Sequence, residues 1–138
     1  MLVAIAGEFF PTIPGLIASE LMRIETALQA RDPSQRILMI SAKSSADLIR
    51  QLAQEGGEPP SLFILHTRMA RTNGDAASAR ETIELAHRLY GLGYRAPVFV
   101  MSLEPPTDQE AALLAVLDIR YVEPRGLATA LAHTLRAR

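Results

Sequence analysis

Apolar residues in this chain follow two alternating rhythms, short unbroken runs and longer stretches in which an apolar residue returns every three or four positions. Leu2 to Ala6 is a continuous run closed by Gly7, the pattern of a strand covered on both faces. From there Ile13, Leu16, Ile17, Leu21, Ile24 and Leu28 recur at helical spacing, with Pro14 suited to a first turn and Asp32-Pro33 beyond the end. Arg36 to Ser41 predicts a second buried strand. Ser44 and Asp47 predict the cap of a helix carrying Leu48, Ile49 and Leu52, which Gly56-Gly57 ends. Ser61 to His66 reads as the third strand, followed by a polar loop through Asn73-Gly74 that is longer than usual, as loops bordering a site often are. Ser78 and Glu81 form a capping box for a helix bearing Ile83, Ala86, Leu89 and Tyr90 and closed by Gly91 and Gly93. Pro97 to Ser102 is the fourth strand. Thr107 and Glu110 open another helix, through Leu113, Leu114 and Leu117. Ile119 to Val122 is a short fifth strand, and Leu127, Ala130, Leu131, Thr134 and Leu135 form the last helical stripe.

Five strands alternating with five helices, the strands apolar throughout, predict a parallel sheet between two helix layers. The fold class is a doubly wound α/β, with 2-1-3-4-5 as the expected strand order and any ligand at the carboxyl ends of the strands. The 138 residues suffice for one domain, 1–138, without internal repeats.

Composition narrows the chemistry. Hydrophobic residues make up 49% and charged residues 21%, which excludes disordered and fibrous classes. Cysteine is absent, and with it disulfides, thiolate metal sites and thiol nucleophiles, so a cytoplasmic location is expected. A net charge of −1 does not have the basic excess of a nucleic-acid footprint, and no partner of that kind is expected. Lys43 is the one lysine; the other basic residues are arginines. Met1 to Phe10 has no basic residues ahead of its apolar stretch, so it does not read as a secretion signal. No apolar run approaches the ~18 residues of a membrane span.

Gly7-Glu8-Phe9-Phe10-Pro11, after the first strand, has one glycine, an acid and two aromatics, so neither a dinucleotide fingerprint nor a phosphate loop is present. Flavin mononucleotide would want several hydroxyl donors there, and only Thr12 is available. The five-unit pattern with Leu65-His66-Thr67-Arg68-Met69 after strand three resembles the receiver domain of bacterial response regulators. That resemblance implies acids after strand one that hold Mg²⁺, an acceptor Asp ending strand three, a Ser or Thr ending strand four and a Lys ending strand five. Position by position, Glu8 is a lone acid, His66 stands in place of the acceptor Asp, Ser102 matches, and Glu123 replaces the Lys. On that mapping the phosphoryl-transfer site is degenerate.

A second resemblance covers the whole chain. Leu2 to Phe10, the strand Ala96 to Met101 and the closing stretch Leu117 to Arg138 are similar to the N-terminal receiver-like wing domain of bacterial ornithine, lysine and arginine decarboxylases. This resemblance implies a non-catalytic domain serving oligomer assembly, with a homo-oligomer or a downstream catalytic domain as partner. Pyridoxal phosphate would belong to a full-length parent, with no cofactor in this chain. Lys43 lacks the neighbouring His of that family's cofactor lysine and takes no such role.

The reading for the whole chain is therefore an assembly domain. Its alternative is a degenerate receiver that signals through protein contacts without phosphorylation; an enzyme ranks third, because no nucleophile and base pair is visible. His66 is the residue of greatest interest, as a base or pH-sensing group or, more plainly, a hydrogen-bonded strand-end histidine. With Glu8 and Glu123 it matches a known metal-ligand set. Those carboxylates are expected to raise its pKa. Arg68, Arg71 and Arg80 flank the long third loop and are candidates for an anion or acidic-partner site, against the plainer reading of a solvated loop. Phe9-Phe10 reads as core plus lid, His87 and His133 as helix-surface residues, and Leu127, Leu131 and Leu135 as a candidate self-association face.

Overall fold

The computed structural model describes residues 1–9, 12–55, 57–115 and 119–136. The strands are β1 (Leu2–Ala6), β2 (Leu38–Ala42), β3 (Leu62–His66), β4 (Val98–Met101) and β5 (Arg120–Tyr121). Between and after them run α1 (Thr12–Gln29), α2 (Ser45–Glu55), α3 (Ala79–Gly91), α4 (Asp108–Ala115) and α5 (Leu127–Arg136), the last preceded by a 3₁₀ turn at Pro124–Gly126. All pairings are parallel, in the order β2-β1-β3-β4-β5. The doubly wound α/β architecture expected from the apolar runs is the one observed. Phe10, Gly56, Leu117 and the final two residues, on which parts of the sequence reading fell, lie outside the described residues.

Strand residues alternate between the two helix layers, so an unbroken apolar run serves two cores. Val3, Ile5, Ile64, Phe99 and Met101 point to the side covered by α1 and α5, where Ile13, Ile17, Leu21 and Ile24 meet Leu127, Leu131 and Leu135. Ala4, Ala6, Phe63, Leu65 and Val100 face Leu48 and Leu52 of α2, Leu85 and Leu89 of α3, and Leu114 of α4. This corrects the expectation for α5. Leu127, Leu131 and Leu135 are each 0% exposed and belong to the core, so no folded copy can offer them to a mate. Their helical stripe has the same spacing whether it covers a sheet or a second chain, and here the sheet takes it.

The second strand also departs from expectation. It begins at Leu38, and Leu38, at 66% exposed, and Met39 face solvent. β2 is an edge strand with β1 as its one neighbour, and only Ala42 of its residues is fully covered. No described helix is long and apolar enough to cross a membrane.

Candidate functional site

Parallel strands deliver their carboxyl ends to one rim, and the candidate residues come from there. β1 leaves the sheet through Gly7, whose N–H donates to the Ala42 carbonyl at 2.9 Å and whose φ is +125°. A methyl group at Gly7 would lie 2.3 Å from Cβ of His66, so β1 can pass the end of β3 only without a side chain. The close passage brings the Phe9 ring edge-on to the His66 imidazole, with centroids 5.1 Å apart.

His66 is half-buried, with Nδ1 3.0 Å from both the amide nitrogen and the carbonyl oxygen of Arg68. In the neutral Nε2–H tautomer the Arg68 N–H donates to Nδ1; a ring protonated at Nδ1 donates to the carbonyl instead. Burial lowers the His66 pKa. The Arg68 backbone bond raises it, the Arg68 charge lowers it, and the Glu104 and Glu8 carboxylates raise it without reversing the outcome. The expected upward shift is thus corrected in sign, because desolvation outweighs the acids. Glu123 is exposed and receives Arg125 Nε at 3.0 Å. Among the described residues no three His, Asp or Glu side chains come close enough to hold a metal ion, so Glu8, His66 and Glu123 do not assemble the ligand set that their residue types match.

Behind His66 lies a row of buried hydroxyls. Ser102, 2% exposed, donates to the Glu104 carbonyl and lies 2.9 Å from the Thr67 hydroxyl. Thr82, reaching in from α3, hydrogen-bonds the carbonyls of His66 and Thr67, each at 3.0 Å. Burial pushes the Tyr121 hydroxyl on β5 above its usual range, with Ser102 acting in the opposite direction. Ser102 was legible from its place at a strand end; Thr67 and Thr82 were not, since their partners are set by tertiary neighbours.

The three loop arginines separate. Arg68 grips Glu110 at the start of α4, Nε to Oε2 at 2.8 Å and Nη2 to Oε1 at 2.7 Å. Glu110 also accepts the Thr107 N–H at 2.9 Å and donates its own N–H to the Thr107 hydroxyl, completing a capping box. The Arg68 hydrogen bonds lead the forces that hold the Glu110 carboxyl below its usual range, against a burial penalty. Arg71 instead directs its backbone carbonyl to the Ala46 N–H on α2, and the Arg71 and Arg80 side chains are exposed without a salt bridge among the described residues. Of the three candidates Arg68 is paired with Glu110, a partner 42 positions away that no local spacing in the sequence signals, and the exposed Arg71 and Arg80 fit the plainer reading of a solvated loop.

No protein-family model matches the chain, and no curated protein does. Solved structures do. The non-phosphorylated receiver domain of the stress response regulator RcsB from Escherichia coli has a TM-score of 0.66 at 19% identity, over 99% of this chain and 91% of that one. The RcsB response regulator of Salmonella typhimurium, described for its conformational dynamism in DNA interaction, gives 0.64 at 19% identity and 99% coverage of this chain, which spans 58% of its length. A response regulator receiver protein from Pseudoalteromonas atlantica gives 0.57 at 14% identity, covering 99% and 95%. The chain has the receiver fold.

Proposed function

We propose that this chain is a degenerate receiver domain that acts through protein–protein contacts without an aspartyl-phosphate switch. The observation that carries this is the occupant of the β3 terminus. His66 stands there with its pKa lowered by burial and its Nδ1 against the Arg68 backbone, and it has no carboxylate oxygen from which an acyl phosphate could form. The surroundings support the same reading. Glu8 is a lone exposed acid at the β1 exit, Glu123 brings negative charge to the β5 end, and the Ser102 hydroxyl is committed to the Glu104 carbonyl. A phosphoryl group would meet these carboxylates, with the Arg68 guanidinium already paired to Glu110. A wing domain assembling a pyridoxal-phosphate decarboxylase has less support, since its expected α5 leucines are core. A cytoplasmic setting fits the reading.

Incubation with acetyl phosphate and Mg²⁺ followed by intact-mass spectrometry tests the proposal. The mass is expected to stay unchanged; a stable adduct of about 80 Da would show that the site accepts a phosphoryl group and overturn the reading.

A further inference from the structure

At the opposite end of the sheet from His66, where β3 and β4 begin, the surface forms a half-open cavity of about 520 Å³. Its floor is apolar and partly aromatic: Phe63, Leu89, Tyr94, Val98 and Ile119, with Phe63 and Tyr94 meeting edge to face at 5.6 Å. Volume and lining fall in the range of pockets that bury a small organic molecule, roughly 300–1,000 Å³ with a few polar groups at the mouth.

The mouth carries Arg95, held in place from three directions. Its guanidinium carbon lies 3.7 Å from the centroid of the Tyr90 ring, and Nη1 donates to the Tyr90 and Tyr94 carbonyls at 2.8 and 3.0 Å. Nη1 thereby caps the last turn of α3. Nε and Nη2 have no hydrogen-bond partner among the described residues, and no carboxylate is among the described lining. A guanidinium fixed by stacking and backbone bonds has already lost much of its rotamer freedom, so its remaining edge is preorganised for an anion. Among the described residues, one cation without a carboxylate partner stands beside an apolar aromatic floor, which matches a monoanion with a hydrophobic body.

We propose that this cavity is a binding site for a small aryl-alkyl carboxylate, its ring on Tyr94, Val98 and Ile119 and its carboxylate on the exposed Arg95. Unlike the protein-contact function proposed above, it uses none of the residues at the carboxyl rim.

The test is an amide-resolved NMR titration of the full chain with 4-phenylbutyrate, and in parallel with its neutral counterpart 4-phenylbutanol. Saturable shifts are expected at Ala86–Tyr90 and Tyr94–Val98, with a dissociation constant below about 5 mM for the acid and weaker binding of the alcohol. Arg95→Met should weaken the acid about tenfold while leaving the alcohol unchanged. Ala86→Leu, which intrudes on the cavity but leaves the Arg95 bonds intact, should abolish both and keeps the proposal testable should Arg95→Met unfold the chain. Absence of saturable shifts, equal binding of acid and alcohol, or undiminished binding by Ala86→Leu would each overturn it.

Discussion

Gly7 and His66 lie 59 positions apart in the chain, yet each explains the other. The glycine was visible in the sequence as the end of a strand; that it must lack a side chain because Cβ of His66 occupies the space became visible only with both strand ends in place. The His66 pKa shows the same limit. The sequence supplied nearby acids, but the fraction of the ring removed from water is a tertiary quantity, and burial decides the sign. With a folded-state pKa below the ordinary 6.5, the unfolded chain binds the proton more readily, so stability rises with pH. The contribution is fully present above the unfolded value and is lost as pH falls through it towards the folded one. Urea denaturation from pH about 5 to 8 should show this dependence, and His66→Gln should flatten it. The ring's NMR titration midpoint should fall below 6.5; a midpoint above it would restore the acids as the dominant influence.

Helix starts were the most legible elements, because a cap is chemistry between residues three apart. Ser44 accepts the Asp47 N–H at 3.2 Å, Ser78 accepts the Glu81 N–H at 3.2 Å, and Thr107 and Glu110 bond reciprocally. Strand environment was less legible, since an apolar run does not say whether it lies at the centre of a sheet or at its edge. At β2 the missing neighbour is replaced by side chains. The Ile37 N–H donates to Glu25 at 2.7 Å, the Lys43 N–H to Asp47 at 3.2 Å, and Gln51 Nε2 to the Ser41 carbonyl at 2.8 Å. These bonds occupy groups that would otherwise template another strand. Between elements, the Arg68–Glu110 clamp ties the exit of β3 to the first turn of α4. Its side chains are 26% and 17% exposed and its geometry is bidentate, so a double-mutant cycle with Arg68→Ala and Glu110→Gln should give a coupling of about 1–2 kcal/mol at pH 7. Because the Glu110 pKa is lowered in the fold, the coupling should be present above its ordinary 4.5 and disappear as acid protonates the carboxyl. A coupling independent of pH would mean that the pair contributes packing rather than charge.

At the scale of the whole molecule, fold class and strand order were readable because two periodicities, continuous and helical, alternate five times and parallel connections leave few arrangements. What a helical stripe packs against was not readable, and α5 is where this mattered. Leu131, fully buried against the sheet and α1, belongs to the core that unites the two ends of the chain. Leu131→Ala is therefore expected to cost about 2–5 kcal/mol, a large share of the roughly 5–15 kcal/mol that holds a domain of this size together. Urea unfolding followed by circular dichroism should show the lower midpoint. The position of the loss distinguishes core from interface. If the leucines pack within one chain, the difference between wild type and variant is the same at every protein concentration. If they held a second copy, the wild-type midpoint would climb with concentration by mass action and the variant's would not. A midpoint difference that widens over a hundredfold concentration series would return α5 to an assembly role; a constant one leaves these leucines as the inner face of a receiver-fold domain.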